Sequence, residues 1–180
     1  MKKKFWVYDI EVFENFFCIV LEGVEDDDVI TYMIHPSYRN DYDDMIKFLK
    51  QEGKAGSIFF GFNNLSYDSQ VIEFLIQNEA DFLSKKPIEI CREAWMFSNA
   101  LIHGQDNPGF RTPYPEFKQT LKQIDVFKLN HWDNPAKSSS LKGIQYTMDW
   151  YNIKESSISF NALIDTGDQI RETLKYCVND

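Results

Sequence analysis

Phe5-Trp6-Val7-Tyr8-Asp9-Ile10-Glu11 is followed, across Glu14-Asn15, by Phe16-Phe17-Cys18-Ile19-Val20-Leu21. The first run is apolar until it delivers two acids at its far end. The second is an unbroken apolar segment of strand length. A short turn around Glu14-Asn15 joins them, so the pair reads as an antiparallel hairpin. Val29 to Ile34 reads as a third strand, reached through the acidic loop Glu25-Asp26-Asp27-Asp28. That loop is expected to be a solvated turn, because three consecutive Asp side chains cannot converge on one point.

Outward from this hairpin the pattern changes period. Tyr42 to Gln51 carries Met45, Ile46, Phe48 and Leu49 at helical spacing, with Gly53 as its expected end. Ser57 to Phe62 is a buried strand, and Asp68 opens a helix with Val71, Ile72, Leu75 and Ile76 on one face. Pro87 begins a further helix to about Leu101. Gly104 to Lys118 reads as a long loop, and Leu121 to Asp125 as a fifth strand. Lys137-Ser138-Ser139-Ser140 leads into a helix from Leu141 to about Met148, with Ser supplying the cap, and Asp168 to Asn179 is a closing helix. Three strands in hairpin order, then strands alternating with helices, predict an α/β domain. Its five-stranded sheet is mixed, antiparallel first and parallel after, and flanked by helices. No linker, repeat or break in composition divides the chain, so residues 1–180 are expected to be one domain.

Composition narrows the function. The 180 residues are 43% hydrophobic and 26% charged, which is globular, and the net charge of −9 opposes binding nucleic acid by a broad basic surface. An acidic pocket neutralised by bound metal escapes that objection. The aromatic share of 16% is mostly core, with a part able to stack on bases. Cys18, Cys91 and Cys177 follow no zinc spacing and read as reduced thiols of a cytosolic protein. His35, His103 and His131 lie in unrelated contexts. After Lys2-Lys3-Lys4 the apolar run is too short for a signal peptide or a membrane span.

The acids carry the chemistry. Residues two apart on a strand share a face, so Asp9 and Glu11 present two carboxylates side by side. Alone they are a strand end entering solvent. Asp68 stands at a strand-to-helix turn, where ligands gather in open α/β sheets, although alone it is a helix cap. Tyr176 and Asp180, at i and i+4, share a helix face. Jointly the four acids supply oxygen ligands for hard divalent cations, Mg²⁺ or Mn²⁺. Two such ions can stabilise the attacking and leaving oxygens of a phosphodiester displacement.

The order D-x-E, then N-x-x-Y-D, then Y-x-x-x-D resembles the three proofreading motifs of the 3′–5′ exonuclease domain of family B DNA polymerases. These are DEDD-type nucleases with tyrosine in the third motif. Gly61-Phe62-Asn63-Asn64-Leu65-Ser66-Tyr67-Asp68 is similar to the second motif in two registers. One places Asn63 as in cellular and T-even-like enzymes, and the other places Asn64-Leu65 as in protein-primed phage enzymes. Tyr176-Cys177-Val178-Asn179-Asp180 is close to Y-C-x-x-D, and Lys175 stands where the histidine branch of the superfamily carries His. Val12 departs from the hydroxyl residue common after the D-x-E glutamate.

The resemblance implies a ribonuclease H-like fold, with Asp9, Glu11, Asp68 and Asp180 holding two Mg²⁺ or Mn²⁺ ions and Tyr176 orienting the nucleophilic water. It implies that Tyr67 and one of Asn63 and Asn64 contact the terminal nucleotides. Lys142, in Ser140-Leu141-Lys142-Gly143-Ile144-Gln145, corresponds to the lysine between the second and third motifs, although Gln145 replaces an apolar residue there. The implied partners are a single-stranded DNA 3′ end and a polymerase domain, of which this chain is expected to be the N-terminal part. Two other expectations stay open: a degenerate binding module of the same fold, and an exoribonuclease.

Overall fold

The computed structural model describes residues 2–26, 28–107, 109–130, 140–159 and 161–179. Strands β1 (Phe5–Phe13), β2 (Phe16–Gly23), β3 (Val29–Ile34), β4 (Ile58–Gly61) and β5 (Lys122–Asp125) form one sheet in the order β3-β2-β1-β4-β5. The pairs β1–β2 and β2–β3 are antiparallel, whereas β1–β4 and β4–β5 are parallel. Three antiparallel strands followed by parallel ones is the expected ribonuclease H-like arrangement. Helices α1 (Tyr42–Ala55), α2 (Asp68–Gln77), α3 (Glu79–Phe82), α4 (Pro87–Gln105), α5 (Val126–Asn130), α6 (Leu141–Thr147) and α7 (Gly167–Asn179) surround it.

Alternation along β1 divides the molecule into two faces. Trp6, Tyr8, Ile10 and Val12 point to one side, where they join Phe17, Ile19 and Leu21 of β2. Helices α1, α2 and α4 close over them with Met45, Ile46, Leu49, Val71, Leu75 and Ile90. On the other side Phe13, Phe16, Cys18 and Val20 meet Ile164, Ile170 and Cys177, so α7 covers only one end of that face. The register pairs Asp9 with Val20 and Glu11 with Cys18. Both acids therefore lie on the second face, beside α7.

Several boundaries differ from the sequence reading. Gly53 does not end α1 but lies within it, where a Cβ would stand 2.8 Å from the Thr120 carbonyl oxygen. The left-handed cap falls instead on Gly56, at φ 76°. Helix α4 runs past Leu101 to Gln105, with the Phe110 ring filling the space a Cβ on Gly104 would need. The short α3 and α5 offered too few turns to show a period, and the loop after α4 holds a 3₁₀ turn at Glu116–Lys118. Among the described residues, no helix is long and apolar enough to cross a membrane.

Candidate active site

Asp9 and Glu11 are half-buried at the far half of β1. The chain leaves β4 at Gly61, turns through Phe62–Tyr67 and enters α2 at Asp68. From the second face α7 contributes Tyr176. A cavity of about 530 Å³ is lined by Asp9, Glu11, Asn63, Tyr67, Asp68 and Tyr176, with Ser140 and Leu141 at its edge. Residues from β1, the β4–α2 turn, α2 and α7 thus meet in one place. Asp180, the fourth carboxylate of the sequence set, lies outside the described residues.

The electrostatics of this cavity are strained by like charge. Asp68 is only 8% exposed. Burial pushes its carboxyl well above the ordinary value, and the charges of Asp9, Glu11 and Asp125 push it further. It does not serve as a helix cap: the cap position of α2 is Tyr67, and no side chain caps that end. Leaving carboxylates so placed is costly unless something compensates them. Among the described residues, no three His, Cys, Asp or Glu side chains form a group that would hold a metal ion by themselves. The donors are nonetheless all hard oxygens, which fits a divalent cation of the Mg²⁺ or Mn²⁺ kind.

The four expected substrate contacts separate here. Asn63 lines the cavity in a left-handed conformation at φ 57°, which asparagine tolerates better than most residues. Asn64 is 0% exposed and does not line the cavity. Its amide donates to Gln123 Oε1 at 3.0 Å and to the Tyr8 hydroxyl at 3.3 Å, tying β1 and β5 to the turn instead of facing the cavity. Gly61 makes room for it, since a Cβ there would lie 2.7 Å from the Asn64 Cβ. Tyr67 forms part of the cavity wall, and its hydroxyl lies 2.6 Å from Ser98 Oγ. Burial pushes that phenol up to about 12, so it stays protonated at neutral pH. Lys142 sits with Nζ 5.0 Å from the centre of the Tyr176 ring, a cation–π contact at the cavity's rim.

One residue escaped the sequence reading as anything but a strand end. Asp125 closes β5 opposite Gly61 and is 4% exposed. Its Oδ1 accepts the backbone N–H of Asn63 at 2.9 Å and of Phe127 at 3.0 Å. Oδ2 has no partner among the described residues. Asp125 therefore fixes the turn that carries Asn63 and adds negative charge near Asp68. An acid at the end of a short strand is the one signal that could have marked it.

The chain matches no known family model, and no curated protein is similar to it.

Proposed function

We propose that this protein is a metal-dependent 3′–5′ exonuclease that removes nucleoside monophosphates from single-stranded or frayed DNA ends. The observation that carries the reading is the convergence of Asp9, Glu11, Asp68 and Tyr176 on one cavity from three separate segments, β1, α2 and α7. In this reading Asp9, Glu11 and Asp68, with Asp180 from the sequence motif, hold Mg²⁺ or Mn²⁺. Two such ions, when bound, supply Lewis acidity and charge neutralisation for phosphodiester hydrolysis. Tyr176 orients the attacking water through its hydroxyl, with Lys142 against its ring. Asn63 and Tyr67 flank the terminal nucleotide, and Asp125 keeps the Asn63 turn in place.

A frayed or mispaired terminus costs less to unpair, so a proofreading role follows, with a polymerase domain of the same or a longer chain as partner. The buried free thiols fit a reducing compartment such as the cytosol.

The test is a 5′-labelled single-stranded DNA, and its RNA counterpart, incubated with the protein in Mg²⁺ or Mn²⁺ and then in chelator. Stepwise shortening of the DNA from its 3′ end, abolished by chelator, is the expected result. Shortening of RNA alone would move the reading to an exoribonuclease. No metal-dependent shortening of either would leave the binding-module reading.

A further inference from the structure

A second concavity lies against α7, on a different face of that helix from Tyr176. It encloses about 420 Å³ and is lined by Trp150, Tyr151, Lys154, Lys175, Val178 and Asn179, among others. Its chemistry contrasts with that of the whole chain. In a protein with 28 acidic and 19 basic residues, the described lining of this groove contains two lysines and no carboxylate.

The two aromatic residues are unusually available. Tyr151 is 87% exposed and Trp150 47% exposed, with ring centres 5.2 Å apart and planes tilted by 38°. Large aromatic side chains left open to water in this way have unused stacking faces. Asn152 donates to Asn179 Oδ1 at 2.7 Å, which fixes the groove's floor, and Asn179 Nδ2 has no acceptor among the described residues. The groove's described lining thus offers planar rings and two cations, and carries no carboxylate.

Trp and Tyr are common where proteins bury surface against one another, but lysine is depleted there. Aromatic platforms beside cations are the ordinary means of holding single-stranded nucleic acid, with bases on the rings and phosphates on the cations. The position agrees. Lys175 faces the groove and Tyr176, the next residue on α7, faces the acidic cavity. A helix is only about 10–12 Å across, so one strand of a few nucleotides can reach both.

We infer that the Trp150–Tyr151–Lys175 groove binds single-stranded nucleic acid a few nucleotides upstream of the 3′ end held in the acidic cavity. Trp150 and Tyr151 stack on bases, and Lys154 and Lys175 contact phosphates. The position of the groove relative to a 3′ end rests on the nuclease reading, but its affinity for a single strand does not.

The experiment measures binding of fluorescently labelled oligodeoxythymidylates of two and eight nucleotides, by anisotropy, in chelator so that nothing is cleaved. The full chain is compared with the Trp150→Ala/Tyr151→Ala and Lys154→Gln/Lys175→Gln double variants. Losing the stacking pair is expected to weaken the octanucleotide by roughly tenfold or more while leaving the dinucleotide unchanged. Losing the two lysines, both exposed and outside the core, is expected to make the salt dependence of octanucleotide binding shallower by about 1.4 in log–log slope. Octanucleotide affinity within twofold of wild type in both variants would overturn the inference. So would a salt slope unchanged by the lysine substitutions, even if the aromatic variant proved unfolded. Loss of octanucleotide binding in a protein that cleaves nothing would uphold the groove and sink the nuclease reading. Cleavage with unaltered octanucleotide binding would do the reverse.

Discussion

The two faces of the sheet solve different problems with the same strand. On one face, Trp6, Tyr8, Ile10 and Val12 of β1 are sealed by three helices, and nearly every side chain is apolar and close to fully buried. On the other, α7 seals only the end at Phe13, Phe16 and Cys18, and the next positions along β1 are Glu11 and Asp9. The closed face supplies stability by burying apolar area. The half-open face places carboxylates where burial is deep enough to perturb Asp68 and access is sufficient for a ligand. Stability and chemistry are therefore separable by substitution, although they share one strand.

The contrast breaks most visibly in the core. Phe59 is 0% exposed and packs edge-on against Tyr8 at 6.0 Å. Phe59→Ala is expected to cost about 3–5 kcal/mol in denaturant unfolding, while metal-dependent cleavage per folded molecule persists. Asp9→Ala is expected to do the opposite, with most turnover lost and the melting temperature in chelator unchanged or raised. If Asp9→Ala unfolds the chain, the two faces are not separable.

Asp125 ends β5 and holds the turn that carries Asn63, and its removal is expected to have an intermediate effect. Asp125→Ala strands two backbone N–H groups, for a loss of about 1–3 kcal/mol. Because it loosens the Asn63 turn, cleavage should fall as well, chiefly through KM. Urea unfolding and steady-state kinetics on the same preparation check both. Unchanged KM would confine Asp125 to a structural role.

The smallest effect concerns pH. The Asp68 carboxyl titrates above its ordinary value of 3.8, so the native state holds that proton more tightly than the unfolded chain does. Stability in chelator must then fall as pH rises from near 4 through the native titration. Asp68→Asn removes that penalty and is expected to melt a few degrees above wild type at pH 7, with the gap closing near pH 4. A variant that melts below wild type at every pH would show that the Asp68 charge is already compensated.

How much of this was legible depended on whether a feature is local. The hairpin, the parallel strands and the amphipathic helices follow from periodicities of two and 3.6, so a mixed sheet, antiparallel first and parallel after, could be anticipated. Asp9 and Glu11 stood out because two acids ending an apolar strand need a reason, and Asp68 and Tyr176 because spacing placed them at an element's start or on one helix face. Asn63 and Asn64 could not be told apart, since adjacent identical residues fit the motif in two registers. Only the tertiary bonds from Asn64 to Tyr8 and Gln123 remove it from the cavity. Asp125 was missed for the same reason: its carboxylate serves a backbone N–H 62 residues away, and no spacing encodes that.

The central claim is that the acids on the open face hold metal while Tyr176 acts on water. Thermal melting of wild type and Tyr176→Phe, each with and without Mg²⁺ or Mn²⁺, tests it alongside cleavage of single-stranded DNA. A ligand that binds only the native state raises stability by about 2.7 kcal/mol at a hundredfold excess over Kd, or roughly 5–10 °C for a chain of this size. Both proteins are expected to show that shift, because the carboxylates remain in each, and Tyr176→Phe is expected to cleave about tenfold more slowly or worse. Melting curves flat across millimolar metal, with Tyr176→Phe cleaving as fast as wild type, would contradict the account.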